Sequence, residues 1–402
     1  MSPTKYPALE STGNPTVELS LEQRYSVLPL VYRYMYFSLF RKIGGAFGWD
    51  FANGVADEMT AESIPFLAPA YKKKFGLPGE GGVMVAQMMQ VEIVVEGGDG
   101  ELIEESGTDV SEFKLACSMG AGLQDPKFAD VDIAAGLCHI GCWKYGTRAA
   151  QQIDPRYRFE RLSWMGEGSP FCHFRLVKDA PGAQVTRADV PQQVTVPALR
   201  ELRMHHVPEL RQCMQTTGYP ILHRTGKLNF DLTLEQRFRT QINVIMFHFF
   251  ATLKYVGVNR GWEAADEFAA DTIMQAHPYL VEGYRKKFDL PGKGLALVAQ
   301  TLHSHFQILG SDVDVIEESE TTAEYKVRCF FGNALRSGKF NDVHIKRGMC
   351  DGGCQRFTQT AADAVVGQCA VDRKTWMGDG AEYCHFTLRA SSKHCANSVN
   401  TP

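Results

Sequence analysis

Residues 71–81 read YKKKFGLPGEG, and residues 284–294 read YRKKFDLPGKG. Eight of the eleven positions are identical, at a spacing of 213. Outward from this stretch the same spacing holds. Leu21-Glu22-Gln23-Arg24 returns as Leu234-Glu235-Gln236-Arg237, and Val85-Ala86-Gln87 returns as Val298-Ala299-Gln300. Ile103-Glu104-Glu105-Ser106 returns as Ile316-Glu317-Glu318-Ser319. The spacing then drops to 212, one residue having left the intervening turn. Cys117 meets Cys329, and SWMGEGSPFCHFRL (163–176) meets TWMGDGAEYCHFTL (375–388). A match of this length in one register divides the 402 residues into two tandem units, 15–180 and 226–392. The period is too long for a solenoid. Residues 181–225 have no counterpart. They carry Pro181, Pro191, Pro197, Pro208 and Pro220 and read as a linker with one short helix over 196–216. Related units in one chain are expected to pack as a pseudo-dimer, with a homo-oligomer left open.

Each unit reads as helices followed by strands, a helix and a hairpin. Apolar spacing predicts a helix over 234–255, and over 21–41 a helix that Pro29 kinks or restarts. A second helix is expected over 49–74 and 262–287, stopped by Leu-Pro-Gly, and a short one over 85–90. Residues 112–119 alternate, with Phe113, Leu115, Cys117 and Met119 on one face, which predicts a half-buried strand. Residues 101–106 would be its hairpin partner. A helix over 128–152 carries Cys138 and Cys142, and strands over 158–164 and 171–177 flank a Gly/Ser/Pro turn. The fold class is α+β, helices packed on a small antiparallel sheet in each unit.

The composition excludes several functions. Forty-two basic against 46 acidic residues give a net charge of −4, without the basic excess of a nucleic-acid or membrane-surface binder. No apolar run approaches 18 residues, so no membrane span is expected. Residues 1–14 are polar and read as no signal peptide, which predicts a cytoplasmic protein with reduced thiols. No Gly-rich dinucleotide or phosphate loop is present.

Eleven cysteines are the chemical feature. Cys117, Cys138, Cys142 and Cys172 recur as Cys329, Cys350, Cys354 and Cys384, leaving Cys213, Cys369 and Cys395 unmatched. Three roles fit the recurrent set: buried core thiols, nucleophilic or ligand-contacting thiols in a pocket, or a four-thiolate zinc site in each unit. The expectation is no cofactor, with the four-thiolate zinc site as the alternative. Cys138 and Cys142, four apart on the expected helix, share a face. His173 and His385 follow the last cysteine and point to the opposite strand face, as packing residues or as general acid/base. Glu105 and Glu318 recur as catalytic candidates. Lys74 and Lys287 end a basic run that suits a helix C-terminus or a substrate carboxylate. His303 and His305 occur only in the second unit, opposite Gln90 and Glu92.

The segments 113–117, 137–142 and 164–174, with 325–329, 349–354 and 376–386, resemble the L-2-amino-thiazoline-4-carboxylic acid hydrolase family. The Gly-Glu/Asp-Gly…Cys-x-Phe ending is also similar to small-molecule-binding domains named after vinyl reductases. The resemblance implies hydrolytic opening of a cyclic, amidine-like C–N bond in a small substrate, or a related step in a biosynthetic pathway. It implies pocket thiols (Cys117, Cys138, Cys142; Cys329, Cys350, Cys354) that attack or orient a ring carbon. A glutamate (Glu105, Glu318) or histidine (His173, His385) would move the proton, and Lys74, Lys287, Trp164 and Trp376 would contact substrate. The family's acidic residue on the cysteine helix and its Asp after the last cysteine are replaced here by Gly141/Gly353 and His173/His385. A cyclase, a lyase or a non-catalytic binding module are the rival functions.

Overall fold

The computed structural model describes residues 9, 13, 15–106, 110–128, 130–133, 136–138, 142–180, 230–275, 277–336, 340, 343–345 and 348–391. Within these, the side chains of 60–69, 104–106, 110, 167, 275 and 277–279 lie outside the description. So do the linker 181–225, with its expected helix, and Cys213 and Cys395.

The protein is α+β. The first elements are α1 (Leu21–Phe47), α2 (Trp49–Phe75), α3 (Gly81–Val95), β1 (Asp99–Ser106), β2 (Val110–Ala116), α4 (Ser118–Leu123), α5 (Cys142–Ile153), β3 (Tyr157–Ser163) and β4 (Cys172–Lys178). There follow α6 (Leu234–Arg260), α7 (Trp262–Gln275), α8 (His277–Phe288), α9 (Leu295–Ile308), β5 (Asp312–Glu318) and β6 (Thr322–Arg328). The chain closes with α10 (Phe330–Arg336), α11 (Arg356–Val366), β7 (Cys369–Thr375) and β8 (Cys384–Ala390). Among the described residues no helix is long and apolar enough to cross a membrane.

Two four-stranded antiparallel sheets have the same order, β1-β2-β4-β3 and β5-β6-β8-β7. Their registers match too. Phe113 pairs with Phe174 and Leu115 with Cys172; Tyr325 pairs with Phe386 and Val327 with Cys384. Bulges fall at Leu102/Glu104 and Val315/Glu317. The expected alternation holds along β2, where Phe113 and Leu115 are buried. Phe113, Phe159 and Phe174 pack ring on ring, with centroids 5.0 and 5.5 Å apart across the Phe159–Phe174 and Phe113–Phe174 pairs. Each such side chain contributes roughly 2–3 kcal/mol of transfer free energy. The apolar α3 covers this face against β1 and β2, touching α2 and α5; α9 does the same over β5 and β6.

Helix ends follow local chemistry. α2 stops at Gly76, left-handed at φ 60°, before Leu77-Pro78-Gly79. The matching position after α8 is Asp289, left-handed at φ 51°, a conformation that short polar side chains tolerate. The helix expected over 262–287 is described as α7 and α8, residue 276 between them lying outside the description. Three expectations change. α1 runs unbroken through Pro29. The strand expected over 112–119 stops at Ala116, and Cys117 caps α4. The helix expected over 128–152 is a 3-10 turn (Pro126–Phe128), a π turn through 136–138, and α5. In the second unit the corresponding π turn spans Gly348–Gln355.

By compactness the chain divides within its two long helices. One unit holds 40–241; the other holds 2–39 and 242–402. Most of α1 therefore belongs to the second unit, where Leu19 N donates to Gln307 Oε1 (3.2 Å) and Gly13 N to Asp314 Oδ1 (3.0 Å). The start of α6 belongs to the first.

Candidate functional site

The recurrent W-M-G and C-H-F residues build a sulfur-lined corner. Cys117 N donates to Met165 Sδ at 3.2 Å, and Met165 N donates to Cys172 Sγ at 3.3 Å. Cys329, Met377 and Cys384 repeat this at 3.2 and 3.4 Å. Cys117 Sγ accepts from Gly120 N at 3.4 Å, where the absence of a Cβ lets the turn lie against Met165. Met165 and Met377, which sequence reasoning passed over, thus tie the first cysteine of each unit to the last. The signal was the W-M-G run that recurs at 164–166 and 376–378.

The π turn carries Cys350 and Cys354 in the second unit; in the first it carries Cys138, and Cys142 opens α5. Gly136 and Gly348 sit where a Cβ would strike the backbone of Asn53 and Asp266, and their N–H groups bond Asn53 Oδ1 (3.0 Å) and Asp266 Oδ1 (3.1 Å). Burial pushes the thiols up, Cys117 and Cys142 to about 12 and Cys384 to about 11, with Cys329, Cys350 and Cys354 also raised. Each of Cys350 and Cys354 feels Cys329 and Cys384, and Cys142 feels Cys117. The nearby cation is Arg161, or Arg373, a second pair absent from the sequence-based candidates. Each guanidinium lies 4.3 Å over its tryptophan, Trp164 or Trp376. Arg161 also donates to Cys138 O (3.1 Å) and Arg373 to Cys350 O (2.8 Å). Among the described residues no group of three or more His, Cys, Asp or Glu side chains is placed to hold a metal ion.

The first unit adds two acids to these thiols. α3 carries the half-buried Glu92, and the buried Glu96 caps its C-terminal end one turn later. Tyr71 of α2 donates its hydroxyl to Glu92 Oε1 at 2.6 Å. Burial outweighs that bond and the Lys74 ammonium and raises the Glu92 carboxyl to about 7. Glu96 is raised too, by burial and by Glu92. Tyr145, one turn from Cys142 on α5, faces Glu92, Cys142 and Glu96. Cys117 and Cys142 both feel Glu96. Lys74 lies along the surface but directs Nζ inward to Thr240 Oγ1 at 2.9 Å, and burial lowers its pKa. The signal for this site was two carboxylates four apart in an otherwise apolar helix.

The second unit keeps the thiols and loses the acids. His305 occupies the place of Glu92, Leu309 that of Glu96 and Phe357 that of Tyr145. Tyr284 OH lies 3.3 Å from His305 Nδ1, and the His305 ring stacks on Phe357 at 5.7 Å. Burial takes His305 down to about 4, so its imidazole is neutral at pH 7. His303 Nε2 sits 2.9 Å from Gln307 Nε2 and 3.8 Å from Glu18 Oε2.

The remaining candidates fall elsewhere. His173 Nε2 meets Glu112 Oε1 at 2.7 Å, and His385 Nε2 meets Glu324 Oε1 at 2.6 Å. Both lie on the strand face opposite the cysteine, in register with Lys114 and Lys326. Burial raises Glu112, but Arg175 and His173 outweigh it and hold its carboxyl low. Glu318 accepts from Gln300 Nε2 at 2.5 Å, and Gln300 Oε1 in turn accepts from Gly292 N. Glu105 pairs in register with Ser111, its side chain outside the description. Lys287 is exposed at the end of α8. A surface hollow of about 390 Å³ between Gln359, Asp363 and Cys369 includes none of the recurrent cysteines.

No known protein family, curated protein or solved structure matches this chain.

Proposed function

We propose that the chain is a cytoplasmic small-molecule enzyme that opens a cyclic C–N bond hydrolytically within a biosynthetic pathway. Its working centre would be the first unit of a duplicated, pseudo-dimeric pair. The shared strand order, bulge positions and sulfur corner support duplication. The observation that carries the catalytic reading is the Tyr71–Glu92 pair, one helical turn from the Glu96 that Cys117 and Cys142 feel. A carboxyl near 7 is poised to take and return a proton at neutral pH, whereas thiols near 12 are poor nucleophiles. In this reading Glu92 takes a proton from water as the water oxygen bonds to the ring carbon. The C–N bond then breaks, and its nitrogen takes that proton from Glu92. Cys117 and Cys142 remain protonated and orient the ring.

The second unit, with its carboxyls replaced by His305 and Leu309, fits a non-catalytic binding module. Turnover of a panel of thiazoline and related ring substrates by the full chain tests the assignment. Glu92→Gln should abolish turnover and His305→Gln should not. Wild-type turnover by Glu92→Gln would overturn it.

A further inference from the structure

The hydrolytic reading leaves the approach to α1 unused. Residues 15–20 lie in the compact unit made of 2–39 and 242–402, which also holds α9. Gln307 of α9 grips them with both ends of its amide. Its Oε1 accepts from Leu19 N at 3.2 Å, and its Nε2 donates to Glu18 Oε1 at 2.8 Å. A backbone N–H only donates and a carboxylate oxygen only accepts, so these two bonds fix which way the amide points. The same Nε2 lies 2.9 Å from His303 Nε2, one helical turn earlier. An amide nitrogen cannot accept, so His303 Nε2 must, and its imidazole is neutral with the proton on Nδ1. Leu19, His303 and Gln307 are all buried.

We propose that the His303–Gln307 contact is a pH-sensitive latch, which holds residues 15–20 on α9 while His303 is neutral and loosens them when it takes a proton. Protonation would set an N–H on His303 Nε2 against the amide N–H groups of Gln307, two donors at 2.9 Å. Glu18 Oε2 stands 3.8 Å off, beyond hydrogen-bond reach, on a side chain mostly in water that screens its pull. Burial accordingly wins over Glu18, Glu318 and Asp312 and keeps His303 below its ordinary 6.5. The charged groups facing His303 are Glu18 ahead of α1, Arg24 on α1, and Asp312 and Glu318 on β5. α8 and α11 bring Tyr284 and Phe357 to His305 instead; β6 and β8, which also contact α9, have Tyr325 and Phe386 buried. Docking that requires the neutral ring is complete above 6.5 and weakens as pH falls through it, by about tenfold between pH 7.5 and 5.5. The first unit has Gln90 and Val94 at the places of His303 and Gln307, and neither titrates. The latch is independent of the hydrolytic reading.

Hydrogen exchange of the full chain with a mass-spectrometric readout at pH 5.5, 6.5 and 7.5, corrected for the intrinsic rate, tests it. Protection of the peptide carrying Leu19 should fall about tenfold from pH 7.5 to 5.5. The peptide carrying Leu253, fully buried on α6, should show no fall. His303→Gln offers Gln307 an acceptor that does not titrate; it should fold and should protect Leu19 equally at both ends of the range. Glu18→Gln keeps an acceptor for Gln307 and removes the carboxylate, and should retain the fall. Protection at Leu19 that ignores pH in the wild type, the same fall in His303→Gln, loss of the fall in Glu18→Gln, or a parallel fall at Leu253 overturns the proposal.

Discussion

Tyr71 and Glu92 face each other from separate helices, with the phenol donating to the carboxylate across 2.6 Å. The bond stabilises the charged form, yet burial prevails and the carboxyl stays near 7. If Glu92 is the base, turnover should rise with pH through about 7 and then level. Tyr71→Phe removes the donor, so the inflection should move upward by several tenths of a unit or more. An inflection that ignores Tyr71→Phe would exclude Glu92 as its source.

Stability should carry the opposite slope. A carboxyl at about 7 in the folded chain and at its ordinary 4.5 in the unfolded chain binds its proton more tightly when folded. Its contribution is unaffected below 4.5 and turns progressively destabilising as pH rises toward 7. Glu92→Gln should therefore be more stable than wild type at pH 8, by on the order of 2 kcal/mol, with little gain at pH 4.5. Urea unfolding at both pH values measures the difference.

The recurrent thiols should be slow. With Cys117 and Cys142 near 12 and Cys350 and Cys354 also raised by burial, alkylation at pH 7.5 should run at least a hundredfold below its rate in denaturant. Peptide mapping after a timed pulse of iodoacetamide reads this for each cysteine. Rapid native labelling of Cys117 would revive a thiol nucleophile.

The sulfur corner predicts a stability cost distinct from any activity cost. Met165→Ala removes a fully buried side chain and the acceptor of the Cys117 N–H, which should cost about 2–4 kcal/mol. Met165→Leu retains the volume and loses the acceptor, and should cost less. Denaturant titration of both variants distinguishes packing from the sulfur contact.

His173 is expected to matter little to chemistry. It lies on the far strand face with Glu112, and such partly exposed pairs contribute about 1 kcal/mol or less. His173→Gln should hold turnover within about twofold. A larger loss would bring the histidine back into the mechanism.

Sheet and turn positions were legible because period-2 alternation and glycine placement are local signals: Phe113, Leu115 and the hairpin around Gly168 sit where the sequence puts them. The cysteine helix was not. Cys138 and Cys142 have helical spacing, but the glycines around them weaken the α-helix by about 1 kcal/mol each. What fixes the π turn is Gly136 pressed against the backbone of Asn53, some eighty residues away in sequence. The acids escaped for a related reason. Glu92 and Glu96 are conspicuous on α3, but their chemistry depends on Tyr71 and Tyr145 arriving from other helices.

The chain's division within α1 and α6 has a consequence for its making. Residues 2–39 leave the ribosome well before residues 242–402, which complete the unit that contains them. At about 5–20 residues per second, the start of α1 waits roughly 10–40 s for the start of that later segment. Through that interval Leu28, Tyr32, Phe37 and Leu39, all buried in the finished protein, have no permanent cover. Chaperone demand and misassembly during synthesis should therefore concentrate at α1, and a fragment of residues 226–402 would lack the segment that completes it.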